Sequence, residues 1–188
     1  MMHDLGVYAK LVDQIRLEFP GFRIVQKEAS SLMKACNFIL LALSCGFADG
    51  FMSRFVTTYN GVIYVPEGWS DHDPLLKAAS LRHERVHLQQ QARMGLFLFT
   101  LVYLFWIFPI GLALGRCKLE QEAYAESLRA NVEYFGESVL VDPEFRAKAI
   151  RHFTTIQYFW MWPFRGSIEA WYDSLVLKVR QEISSSPT

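Results

Sequence analysis

Residues 73–95 read DPLLKAASLRHERVHLQQQARMG, and their reading decides the rest of the chain. Asp73 is a good N-cap residue, and Pro74 suits the first helical position, where a missing N–H costs nothing. The pattern predicts a helix from about Pro74 to Met94. Within it stands His83-Glu84-Arg85-Val86-His87, the HExxH pattern. Helix positions four apart share a face, so two imidazoles one turn apart can offer nitrogens to one Zn²⁺, each at about 2.0–2.1 Å. Glu84 lies about 100° round the helix from His83 and flanks the ion rather than binding it. From there its carboxylate can take a proton from a metal-bound water, whose pKa the ion lowers to about 7. That makes Glu84 the catalytic candidate. With five histidines in the chain, chance puts the pattern in about 1% of shuffled sequences. The simpler reading is a solvated or hydrogen-bonded polar face, continued by Gln89, Gln90 and Gln91, which serve equally well as amides supporting the ligands.

Working outward, Phe51 to Tyr59 and Val62 to Val65 carry β-branched and aromatic residues around Asn60-Gly61, the strongest short hairpin signal. Pro66, Gly68 and the polar run SDHD close it. Further upstream, residues 28–45 form an apolar segment that reads as a buried helix. Leu5, Tyr8, Leu11, Val12, Ile15 and Phe19 recur at helical spacing in the first twenty residues, an amphipathic helix rather than a signal peptide. Pro20-Gly21 marks a turn after it. Downstream, Gly136 stops a helix beginning near Cys117, Asp142-Pro143-Glu144 repeats the helix-start signal, and Pro163 to Gly166 separates two last helices. The expected fold class is α+β, mainly helical, with a small antiparallel β-hairpin preceding the HExxH helix. No repeat or linker divides the chain, so residues 1–188 read as a single domain, with 184–188 a flexible polar tail.

Composition bounds the function. The chain has 19 basic and 19 acidic side chains, which argues against nucleic acid as a partner, since phosphate binding needs a basic patch. At 188 residues a folded chain buries roughly 70% of its unfolded surface, enough for a core without disulfides. Cys36, Cys45 and Cys117 are odd in number and share no CxxC spacing, so a cytoplasmic, reducing setting fits best. Hydrophobic residues make up 52%, slightly above the globular norm of about 45–50%. Such a chain either has a large core or touches membrane.

A catalytic zinc site needs a third protein ligand and an open position for water. Glu120, Glu122 and Glu126 lie in the acidic stretch LEQEAYAESL. With HExxH and Glu120-Gln121-Glu122-Ala123 together, the chain resembles the gluzincin metallopeptidases, the thermolysin-like superfamily, whose pattern is HExxH plus a glutamate on a later helix, often as ExEA. The resemblance covers residues 54–130, a metallopeptidase-like core, and implies a zincin-like fold. It makes His83, His87 and Glu120 the metal ligands of one Zn²⁺ per chain and Glu84 the catalytic glutamate, with Glu122 the alternative third ligand. Tyr124 falls where many members carry aspartate, which leaves open what orients a ligand histidine. In this superfamily a strand before the metal helix pairs with extended substrate, a role for Val62 to Val65. His152, Tyr134 and Tyr158 are candidate donors to an oxyanion.

Residues 94–115 contain no charge and by length are a transmembrane candidate. A continuous helix there would rise about 33 Å and part His87 from Glu120 across a bilayer. Pro109 and Gly111 supply a break that keeps both ligands on one ion. Three readings stay open for the segment: buried core, a re-entrant membrane hairpin, or an apolar surface docking on a protein partner. Tyr103, Trp106, Trp160 and Trp162 are interfacial anchors in the membrane case and core residues otherwise. The sequence thus points to a cytoplasmic zinc metallopeptidase, a hydrolase acting on a peptide or protein substrate, which the 94–115 segment would attach to a membrane or a larger assembly in the last two readings. The rival expectation is a non-catalytic metal-binding or structural component of such an assembly, in which closed four-ligand coordination replaces the open position.

Overall fold

A computed structural model describes residues 2–47, 49–104, 113–155 and 161–185. Its elements in chain order are α1 (Met2–Glu18), β1 (Arg23–Gln26), α2 (Ser31–Leu43), β2 (Thr57–Tyr59), β3 (Val62–Val65), α3 (Pro74–Met94), α4 (Leu96–Leu104), α5 (Leu114–Phe135), α6 (Pro143–Thr154) and α7 (Arg165–Ser185), with short 3₁₀ turns at Lys27–Ala29, Trp69–Asp71 and Glu137–Val141. The fold is mainly helical with one small sheet.

The HExxH helix α3 begins where Asp73 and Pro74 predict. Asp73 Oδ1 accepts from the backbone N–H groups of Leu75 and Leu76 at 2.9 and 3.1 Å, satisfying two of the donors that a helix start leaves free. Gly95 ends it at φ 79°, a conformation that costs glycine little. One flank of α3 packs on α1 and the sheet, where Leu11, Ile15, Ile63, Val65, Leu81 and Leu88 form a core. Its other side lies along α5. Helices α6 and α7 cover the far side of α5: Cys117 meets Ile150, Phe153 and Ile168, and Leu128 meets Leu175 and Val179. Helix α3 is therefore held on both flanks.

The sheet departs from the predicted hairpin in two ways. Its antiparallel pair is short, Thr57–Tyr59 against Val62–Val65, and β1 joins β3 on the other side in parallel register, Ile24 opposite Ile63. A parallel partner nearly forty residues upstream leaves no turn signal to read. Since β3 is the central strand, both its edges are taken, and Val62 to Val65 cannot add a substrate strand.

Helix α2 also differs from expectation. It lies at the surface, with Met33 its one buried residue and Phe38 74% exposed. Apolar content marks the segment as a helix but does not say how much of it is covered.

The apolar stretch is not one helix. α4 ends at Leu104, α5 starts at Leu114, and the two pack against each other; Trp106, Pro109 and Gly111 lie outside the described residues, as do Tyr158 and Trp160. Inward, α4 turns Phe99 and Tyr103 toward His87. Outward it exposes Phe97 at 82%, with Leu98 and Leu101, so the described part is neither wholly core nor wholly surface. Trp162 packs against the cluster around Cys117 and donates to Ser167 at 2.8 Å. Among the described residues no helix is long and apolar enough to cross a membrane. Helix α7 runs through Ser185, which makes Ser184 and Ser185 helical rather than tail; residues 186–188 lie outside the described part.

Candidate metal centre

His83 and His87 project from one face of α3, and the packing of α3 against α5 brings Glu120 opposite them. The Nε2 atoms of the two histidines are 3.2 Å apart. Glu120 Oε2 is 3.5 Å from His83 Nε2, and Oε1 is 3.7 Å from His87 Nε2. A tetrahedral ion with bonds of about 2.0–2.1 Å keeps its ligand atoms about 3.3–3.4 Å apart. The three side chains therefore fit one small divalent cation, and they are the one such group of histidine, cysteine and carboxylate among the described residues.

Hydrogen bonds fix which nitrogen faces the centre. The Ser127 hydroxyl donates to the Ala123 carbonyl at 3.2 Å, so it accepts from His83 Nδ1 at 2.9 Å. Gln90 donates its Nε2 to the Leu119 carbonyl and to Glu122 Oε2, which turns its Oε1 toward His87 Nδ1, 2.9 Å away. When both rings are neutral these bonds place the proton on Nδ1 and turn the Nε2 lone pairs toward the centre. Glu120 adds to the demand for a cation. Tyr103 donates to its Oε1, while its buried Oε2 receives no hydrogen bond from the described residues.

The ionisation of these groups agrees. Burial works to raise the Glu120 pKa, yet the neighbouring His87, His152 and His83 hold it well below the usual carboxylate range. Burial likewise lowers His83, but the contact with Glu120 and the charges of Glu84 and Glu120 prevail and raise it. For His152 burial dominates, and its pKa is lowered despite Glu120. The pocket is built around one positive charge.

Glu84 stands outside the ligand group. It is buried, and Thr58 on β2 donates to its Oε2 at 2.6 Å. Gln91 secures β2 in turn, accepting from the Asn60 N–H at 2.9 Å and donating to the Thr58 carbonyl at 3.2 Å. Gln90 and Gln91 are thus working amides, and the HExxH face is not a solvated one.

The other candidates separate cleanly. Glu122 is half exposed and engaged by Gln90 and Arg93, so it does not face the centre. Glu126 is paired with Arg82. Of the three oxyanion candidates, Tyr134 packs against the core around α1 and under Arg82. Tyr158 is undescribed, whereas His152 on α6 brings Nε2 to 3.5 Å from Glu120 Oε2. It does not join the ligand group, so the fourth position stays open among the described residues.

Sequence reasoning missed Thr58, Tyr103 and Ser127. Ser127 had a signal, since it lies seven residues from Glu120 and so on the same face of α5. Tyr124 packs its ring between His83 and His152, 5.2 and 4.7 Å between centroids. Tyr103 had none, because aromatic residues in an apolar run look alike. The chain matches no family profile, no curated protein and no solved structure, so the function of the site is argued from its geometry.

Proposed function

We propose that this protein is a zinc-dependent metallopeptidase of zincin-like fold, akin to the gluzincins. The observation that carries the reading is the meeting of two Nε2 atoms 3.2 Å apart with the Glu120 carboxylate, whose oxygens lie 3.5 Å from His83 Nε2 and 3.7 Å from His87 Nε2, and a separately anchored glutamate on the same helix. A zinc ion held by His83, His87 and Glu120 supplies Lewis acidity to a water and to the substrate carbonyl. Glu84 is the base that takes the proton of that water and returns it to the leaving amine. Thr58 holds the Glu84 carboxylate in line for both transfers, and burial keeps competing water away. Ser127 and Gln90 fix the ligand tautomers, and His152, with Nε2 3.5 Å from Glu120 Oε2, is the donor assigned to a developing oxyanion.

The open fourth position favours this reading over a closed structural site, which uses four protein ligands.

The test pairs metal content with turnover. Zinc-loaded wild type should carry about one zinc per chain by elemental analysis and cleave peptides from a random library read by mass spectrometry. Glu84→Gln should keep the zinc and lose cleavage by a factor of about 10³ or more, while His83→Ala should lose both. A Glu84→Gln protein that still cleaves at the wild-type rate overturns the mechanism.

A further inference from the structure

Arg116 stands four residues before Glu120 on α5 and so on the same helix face. Its Cζ lies 4.9 Å from the centroid of the Tyr103 ring, the same tyrosine that holds Glu120. Yet among the described residues its buried Nε has no hydrogen-bond partner, and no carboxylate among them pairs with its guanidinium.

The other arginines make this exceptional. Arg82, Arg85, Arg129 and Arg146, all partly buried, each hold a carboxylate. Arg23, Arg54, Arg151 and Arg180 are exposed, where water serves the guanidinium. Among the described residues, Arg116 is the one sheltered arginine with no anionic partner. A guanidinium keeps its charge at any working pH, and its forked N–H groups match a carboxylate. Leaving it unpaired beside a metal site is costly unless a ligand completes it.

We propose that Arg116 is a substrate-binding residue, the anchor for a carboxylate on the peptide. The inference rests on the peptidase reading and adds the substrate class. One tyrosine ring separates the guanidinium from the ligand carboxylate, and an extended peptide advances about 3.3 Å per residue. A carboxylate reaching Arg116 therefore lies within one or two residues of a carbonyl at the metal. It comes either from a free C-terminus, which makes the enzyme trim chain ends, or from an acidic side chain next to the cleaved bond.

Three peptides separate these sources: N-acetyl-tetra-alanine as the free acid, the same peptide as the amide, and an amide with glutamate in the last position. Their binding is measured by calorimetry to zinc-loaded and metal-free Glu84→Gln protein, which prevents turnover, and to the same protein carrying Arg116→Gln or Arg116→Lys. At least one anionic peptide should bind about tenfold to a hundredfold more tightly than the neutral amide. Arg116→Gln should erase that preference and Arg116→Lys should restore part of it, with zinc content and melting temperature unchanged. The preference should survive metal removal, since a carboxylate sitting on the ion would lose it. Equal binding of all three peptides, or a preference untouched by Arg116→Gln, overturns the proposal. An Arg116-dependent preference in a protein that cleaves nothing upholds the anchor and sinks the peptidase reading; cleavage without the preference does the reverse.

Discussion

The Lys27 ammonium has no exposed surface: it donates to the Phe51 carbonyl at 2.5 Å and stands 3.9 Å from the centre of the Phe51 ring. Burial pushes its pKa from 10.5 down to about 8, against the opposing charges of Glu84 and Glu28. Between those values the unfolded chain binds more protons than the folded one, so this group's contribution to stability rises with pH through the window. Below about pH 8 the fold carries the full cost of the buried charge. The difference in unfolding free energy between wild type and Lys27→Met should therefore move in favour of wild type by about 3 kcal/mol from pH 7 to pH 11, read from urea denaturation at stepped pH. A difference that stays flat removes the argument. The same residue shows what a sequence hides. His83, Glu84 and His87 were legible because their geometry is local to one helix. Lys27 meets Phe51 across 24 residues, Thr58 meets Glu84 across 26, and Ser127 meets His83 across 44, and only the fold creates those distances.

At the level of elements, punctuation proved more informative than apolar content. Asp73-Pro74 and Asp142-Pro143 both open helices, and in each the aspartate accepts backbone N–H groups as expected. Asp73→Ala should cost about 1 kcal/mol by chemical denaturation. It should leave zinc content intact, because nearly three helical turns separate the cap from His83. Loss of zinc in that variant would mean that the cap, not the packing against α5, positions the ligands. Apolar runs gave weaker guidance. Segment 96–104 is so uniformly apolar that it shows almost no period, and in 31–43 the polar Lys34 and Asn37 do not tell which apolar residues are covered, so facing had to come from contacts: α2 presents Phe38 and Ile39 to the surface, and α4 turns Tyr103 to Glu120 while exposing Phe97. The four-residue β1 carried too little pattern to compete with the hairpin beside it.

Across the whole molecule, the candidate centre joins elements far apart in the chain: α3 gives two ligands, α5 the third, α4 the tyrosine on that ligand and α6 the neighbouring histidine. The unfolded chain cannot hold these groups together, so an ion that binds there binds the native state and stabilises it by linkage. At a free zinc concentration a hundred times the dissociation constant, the gain is about 2.7 kcal/mol. For a chain of this size each kcal/mol moves the melting temperature by about 2–4 °C, so zinc should raise it by about 5–10 °C over the chelated protein. The size of that shift in variants tests the ligand set without any substrate. Glu84→Gln should keep the whole shift, since Glu84 is held by Thr58 and lies outside the ligand group. Glu120→Ala should lose most of it even though both histidines remain, because two ligands on one helix neither complete the site nor tie α3 to α5. If Glu120→Ala melts with the wild-type zinc shift, the third ligand is misassigned; if Glu84→Gln loses the shift, Glu84 is a ligand and the general-base role falls with it.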